Sequence, residues 1–131
     1  MTTPSEIYSP GLEGVIAGET AISTITGGLR YRGYPVPELA EKATFDEVAY
    51  LLLHGELPTH AQLKDFDARL AAAQKLPAVL SDLLKKLPKN AVPMDVLRTG
   101  VSILAHHDPD LGDNGRAANL RKAERLLAQI P

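Results

Sequence analysis

The tightest constraint on the fold comes from two four-residue stretches, Thr44-Phe45-Asp46-Glu47 and Thr59-His60-Ala61-Gln62. Each has the form of a capping box. The threonine oxygen accepts from the backbone N–H three residues on, and the Glu or Gln side chain reaches back to the threonine's own N–H. Two helices are expected to start there, and an apolar run of helical period follows each start. "FDEVAYLLLHG" stacks Phe45, Val48 and Leu52 on one face and stops at Gly55, a residue suited to a left-handed C-terminal cap. The next run places Leu63, Phe66, Leu70 and Ala73 at spacings of three and four, then meets Pro77. A further stripe of Leu80, Leu83, Leu84 and Leu87 ends at Pro88, and Pro35 and Pro37 bracket the entry to a shorter helix, "PELAEKA".

Ahead of these helices the character differs. Residues 1–14 contain small hydroxyl residues, prolines and glycines, and read as an extended arm. Residues 15–34 alternate Ile22, Thr24 and Thr26 with Leu29 and Tyr31 around Gly27-Gly28, which predicts a two-stranded hairpin with the glycine pair at its turn. A lone hairpin is marginal, so it must pack on something. The expected fold is mainly α, with this small N-terminal β-hairpin and a helical region over residues 35–131.

Two helices complete that region. In "PMDVLRTGVSILAHHDPD", Met94, Leu97, Val101 and Leu104 share one face, expected to pack on the Leu80–Leu87 stripe. Val96 and Ile103 lie on another, and Gly100 permits a close approach. A helix apolar on two sides needs two partners. The last helix, "GRAANLRKAERLLAQIP", aligns Leu120, Ala123, Leu127 and Ile130 and is still apolar at its end, with no C-terminal cap signal; the expectation is a polypeptide cut short.

Composition narrows the function classes. Lys and Arg total 14 against 16 Asp and Glu in 131 residues, so no broad positive field is available for a phosphate backbone, and nucleic acid is not an expected partner. The absence of cysteine excludes disulfides, thiolate metal sites and a cysteine nucleophile. No window approaches the roughly 20 apolar residues of a membrane span, and no secretory leader pattern opens the chain. A cytoplasmic location is the expectation.

The candidate sites each have a plain structural reading. His106 and His107 precede Asp108 and Asp110, residue types that bind metals or move protons, but adjacent side chains on a helix diverge by about 100°, whereas a helical metal pair needs a spacing of four. Histidines just before Asp108-Pro109 suit the negative end of a helix dipole. His54 and His60 also sit at helix ends and have no carboxylate or serine partner by spacing. Gly27-Gly28 lacks the pattern of a phosphate-binding loop. Arg116, Arg121, Lys122 and Arg125 form a basic face interrupted by Glu124, and Arg30 and Arg32 would share one face of a strand; either set could meet an anion, and solvent is the plainer reading. No catalytic, cofactor-binding or metal-ligating residue is assigned, and no cofactor is expected.

The order of "GLEGVIAGETAISTITGG", "LRYRGYPVPELAEKATFDEVAYLLLHGELPT" and "PMDVLRTGVSIL" resembles the N-terminal part of the citrate synthase family, including its 2-methylcitrate synthase members, from about Gly11 to the end of the chain. Val92 departs from the pattern, since many relatives carry histidine before the Pro-Met pair. The resemblance implies a mostly helical homodimer that, when complete, condenses acetyl-CoA with oxaloacetate and water to citrate and CoA in the tricarboxylic acid cycle. It also implies that the catalytic aspartate, the two catalytic histidines and the carboxylate-gripping arginines lie downstream of the matched region. None of His54, His60, His106 or His107 falls in the family's catalytic motifs, so the chain alone is expected to be inactive. The alternatives are part of a 2-methylcitrate synthase or a non-catalytic helical dimerisation module, with self-association expected through helices within residues 77–105.

Overall fold

In the computed structural model, residues 16 and 18–131 are described; the expected arm over residues 1–14 lies outside them. A small antiparallel sheet of β1 (Ser23–Thr24), β2 (Arg30–Tyr31) and β3 (Tyr34–Pro35) precedes six helices: α1 (Val36–Lys42), α2 (Phe45–His54), α3 (His60–Ala73), α4 (Ala78–Lys86), α5 (Pro93–His106) and α6 (Arg116–Gln129). None of these helices is long and apolar enough to cross a membrane.

The helix boundaries follow local chemistry. Both capping boxes form: Thr44 Oγ1 accepts from the Glu47 N–H at 3.3 Å while Glu47 Oε2 accepts from the Thr44 N–H at 2.7 Å, and Thr59 and Gln62 repeat the pattern at 3.4 and 2.8 Å. The Thr44 backbone bond, then the hydroxyl bond, hold the Glu47 carboxyl below its ordinary value. Helix α2 ends on Gly55 at φ +100°, whose N–H donates to the Leu51 carbonyl at 2.8 Å. Pro93 opens α5 in its first turn, with Val92 as the preceding extended residue.

The ribbon has three strands rather than two. Gly27 and Gly28 do take positive φ (+73° and +107°), but the turn closes from the Gly28 N–H to the Ile25 carbonyl at 3.2 Å, so the glycines are not its two central residues. The two-residue connection is Arg32-Gly33, between paired Tyr31 and Tyr34, with φ +48° and +90°. Positive φ at both central positions is what a primed hairpin turn requires, and it adds β3. As a result Arg30 and Arg32 do not share a strand face, because Arg32 sits in the turn.

The buried apolar residues are Leu39, Tyr50, Leu51, Phe66, Leu80, Leu104 and Ala118, with Leu51 and Phe66 fully enclosed. Helix α3 is central, packed most extensively on α6 and also on α2, while α4 packs on α5. Helix α2 has a wide apolar sector, and the residues that turn fully inward are Tyr50 and Leu51; Phe45, on the stripe read from spacing, is 69% exposed. On helix α5 only part of the expected face turns inward: Leu104 is buried. A Cβ added at Gly100 would lie 3.8 Å from Leu80 Cδ1, so this glycine faces α4 within the chain, whereas Met94 and Leu97 are exposed. The small residue sits where α4 approaches, and the two side chains in the first turns of the expected face are left outside.

Candidate functional site

The densest gathering of ionisable and aromatic side chains joins α2, α3 and α6. Glu124 on α6 accepts two parallel bonds from Arg69 on α3, Nε to Oε2 at 2.9 Å and Nη2 to Oε1 at 3.0 Å, and Asp65 accepts a further bond from Arg69 Nη1. The bond to Glu124 raises the Arg69 pKa, burial opposes it, and the charges of Glu124 and Asp65 add to the rise. His54 on α2 stacks on Tyr50 with ring centroids 4.1 Å apart, and the Phe66 ring stands edge-on to both at 5.4 and 6.2 Å. The Arg69 guanidinium carbon lies 5.6 Å from the centre of the Phe66 ring, within cation–π range.

This arrangement has the residue types of a proton-transfer pair without its geometry. His54 Nε2 is buried, has no hydrogen-bond partner and lies 3.6 Å from Glu124 Oε1, beyond hydrogen-bond length. Both oxygens of Glu124 are engaged by a cation that stays protonated at any working pH. The cluster therefore clamps three helices together. No sequence signal announced it: Arg69 and Glu124 are 55 positions apart, and Glu124 reads locally as a mere interruption of a basic face.

A second cluster closes the α5–α6 connection. Arg125 donates to Asp108 Oδ2 at 3.0 Å, to Asp108 Oδ1 at 2.7 Å and to Asp110 Oδ2 at 2.6 Å, while Arg121 reaches Asp110 at 3.1 and 2.6 Å. The Asp110 carboxyl is held far below its ordinary value by the bonds from Arg121 and then Arg125. For Asp108, burial pushes upward most strongly, but the bonds from Arg125 and the Asp110 backbone together outweigh it, and its pKa is also lowered. Lys122 Nζ donates to the Asp113 carbonyl at 2.6 Å. Three cations of the basic face are thus taken up by the loop that leads into their own helix.

The remaining candidates stay apart. His60 is exposed in the first turn of α3; His106 and His107 are exposed at the end of α5, where the His107 N–H donates to the Leu104 carbonyl at 3.0 Å. Arg32 joins the ribbon to α2 by donating to the Leu52 carbonyl at 2.9 Å and also reaches Ala21 O at 3.4 Å, and Arg30 donates to Gly33 O at 3.0 Å. Among the described residues, no three His, Cys, Asp or Glu side chains gather in a way that could hold a metal ion.

Both clusters stabilise a helical assembly, and comparison with known proteins agrees in placing the chain among enzymes much longer than itself. A family model described as citrate synthase, C-terminal domain, matches residues 11–131. The 2-methylcitrate synthase of Shewanella oneidensis is 45% identical over 134 residues, covering 100% of this chain and 35% of the relative. The 2-methylcitrate synthase of Mycobacterium tuberculosis strain H37Rv is 46% identical over 138 residues with the same shares, 100% and 35%, and a citrate synthase of Mycolicibacterium smegmatis is 44% identical with shares of 100% and 36%. The chain spans about a third of the length of these curated relatives. Among solved structures, citrate synthase from Pyrobaculum aerophilum superposes with a TM-score of 0.82 at 33% identity, covering 90% of this chain and 32% of that one. Citrate synthase from Thermotoga maritima gives 0.76 at 41%, covering 91% and 31%. A match to the family model through almost the whole chain, with the same helical fold in solved members, makes this protein a member of the citrate synthase family.

Proposed function

We propose that the chain is the N-terminal third of a cytoplasmic synthase that condenses an acyl-CoA with oxaloacetate, and that it contributes scaffold and subunit contacts rather than the reacting groups. The observation that carries this reading is the match over the full chain to synthases of which it spans 35%. The condensation needs a base for the acyl carbon and groups to neutralise the enolate as it forms. Among the described residues, His54 stands in the first interlock and His60, His106 and His107 lie singly at helix ends, while Glu124, Asp108 and Asp110 are held by arginines. Acetyl-CoA, giving citrate, is the first reading, and propionyl-CoA, giving 2-methylcitrate, is the alternative supported by the names of the Shewanella and Mycobacterium relatives.

Two outcomes are expected. With oxaloacetate and either acetyl-CoA or propionyl-CoA, the isolated chain releases thiol at the rate of a protein-free control, because binding without acid–base groups accelerates nothing. Turnover above that control would overturn the scaffold role. The chain also self-associates through α4 and α5, where Leu84, Met94 and Leu97 remain exposed. Since Gly100 faces Leu80 of its own chain, the informative variant is Leu97→Glu, expected to weaken the dimer by roughly tenfold or more in sedimentation equilibrium, as charge on an apolar two-fold patch is poorly solvated. A monomeric unmodified chain, or an unaffected variant, would remove this interface.

A further inference from the structure

One step in the connection between α5 and α6 is chemically unlike the rest of the chain. Asn114-Gly115 is its only asparagine followed by glycine. The side-chain amide carbon of an asparagine can be attacked by the backbone nitrogen of the next residue, closing a five-membered ring. Two things ordinarily prevent this: the next side chain crowds the approach, and the attacking N–H is held by a backbone carbonyl. Both obstacles are missing here. Gly115 has no Cβ, both residues are exposed, and Gly115 is extended at φ −63° and ψ 153° just ahead of the first turn of α6. Its N–H donates to Asp113 Oδ1 at 2.7 Å rather than to a carbonyl, so the proton that must leave already rests against a carboxylate. The other two asparagines keep both obstacles. Ala91, after Asn90, carries a Cβ and donates its N–H to the Pro88 carbonyl at 3.0 Å. Asn119 lies inside α6, and the N–H of Leu120 after it belongs to the helix ladder.

We propose that Asn114 is a site of spontaneous covalent modification, deamidating through a cyclic imide with water as the co-reactant. The Gly115 nitrogen gives up its proton to Asp113 or to base in solution and bonds to Asn114 Cγ. The Cγ–Nδ2 bond breaks, and the nitrogen takes up a proton and leaves as ammonia. Water then adds to either imide carbonyl and breaks that carbonyl's bond to the Gly115 nitrogen. Opening at Cγ restores the ordinary chain with an aspartate at this position. Opening at the former main-chain carbonyl gives isoaspartate, in which the chain runs through the side chain and gains a methylene. One water is consumed and one ammonia released, with no change of oxidation state. The isoaspartyl product strikes at the start of α6. Asn119 Nδ2 donates to the Asn114 carbonyl at 3.0 Å, and Lys122 Nζ to the adjacent Asp113 carbonyl at 2.6 Å. The first of these carbonyls becomes a carboxylate hanging off the chain, and the added methylene displaces the second, so the loop loses the ties that fasten it to the helix it precedes.

The folded chain is incubated in mildly alkaline buffer, sampled over time and digested, and peptide mass spectrometry follows the conversion of amide to acid at all three asparagines. Fragmentation that cleaves the main chain beside Cα separates aspartyl from isoaspartyl peptides. Conversion at Asn114 is expected to run about tenfold or more faster than at Asn90 and Asn119, because only there does the attacking nitrogen belong to a residue without a Cβ. Both products are expected, since isoaspartate forms only by way of the ring. Gly115→Ala tests the step itself. The backbone angles at this position suit alanine, and the added Cβ would lie 3.0 Å from Asp113 Oδ1, on an exposed side chain that can turn aside. This variant should fold as the unmodified chain does and slow the conversion at Asn114 to the rate of the other two. Conversion at Asn114 no faster than at Asn90, aspartate without isoaspartate, or an undiminished rate in Gly115→Ala would each overturn the proposal. Conversion seen only after unfolding in urea would reject it as well, since the folded loop would then shield the ring-closing approach.

Discussion

Phe66→Ala is expected to destabilise the chain by about 3–5 kcal/mol, the usual cost of emptying a well-packed aromatic site. Phe66 is fully enclosed, and its ring is the common surface against which Tyr50, His54 and Arg69 are ordered. Truncation removes both the transferred area and the edge-on aromatic contacts, and the surrounding helices relax only in part because α3 is held on both sides, by α2 and by α6. Domains of this size are stable by roughly 5–15 kcal/mol in total, so the loss is a large fraction of what is present. In thermal unfolding followed by circular dichroism the midpoint should fall by more than about 10 °C. Phe66→Leu, which retains most of the volume, should cost considerably less. A change below about 1 kcal/mol for the alanine variant would show that α3 is not the centre of the packing.

Arg125→Ala is expected to loosen the other end of the molecule, with a pH signature of its own. The guanidinium spans Asp108 and Asp110, and its removal leaves Asp108, whose side chain is 14% exposed, without a cation. For the Arg125–Asp108 pair the loss is about 1–2 kcal/mol at neutral pH, less than at a fully buried pair because water still reaches the edge and screens it. Asp110 keeps Arg121. The pKa of Asp108 is lowered in the folded chain, so its contribution to stability is fully present above the unfolded carboxyl value of about 3.9 and is lost as pH falls through the folded value. The stability gap between wild type and variant should therefore be constant from about pH 5 to 8 and close on acidification below about pH 4. Urea titrations at several pH values measure it. A gap that persists undiminished at low pH would mean that Arg125 acts through packing of its stem alone.

The two interlocks differ in how visible they are along the chain. Asp108 and Asp110 stand just beyond α5 and their arginines lie one helix later, so a loop tied back to the helix it precedes was within reach of local reading. Arg69 and Glu124 had nothing in common but opposite charge, and only the packing of α3 on α6 brought them to 2.9 Å.

What the sequence determined by itself was where helices start and stop and, through the order of its motifs, the family. Capping boxes, prolines at first turns and Gly55 act over three or four residues, so their physics is complete within a short window. Tertiary structure decided which way each helix faces. The apolar sector of helix α2 is wide, and the choice between a Phe45–Leu52 face and a Tyr50–Leu51 face is made by Phe66, on another helix. Gly100 had two apolar faces to serve, and Leu80 decided between them at 3.8 Å. Arg32 reads as a strand residue until its turn backbone and the Leu52 carbonyl are both in place. Periodicity says that a face is apolar, but burial is a property of pairs of faces, and the second member of each pair lies far along the chain.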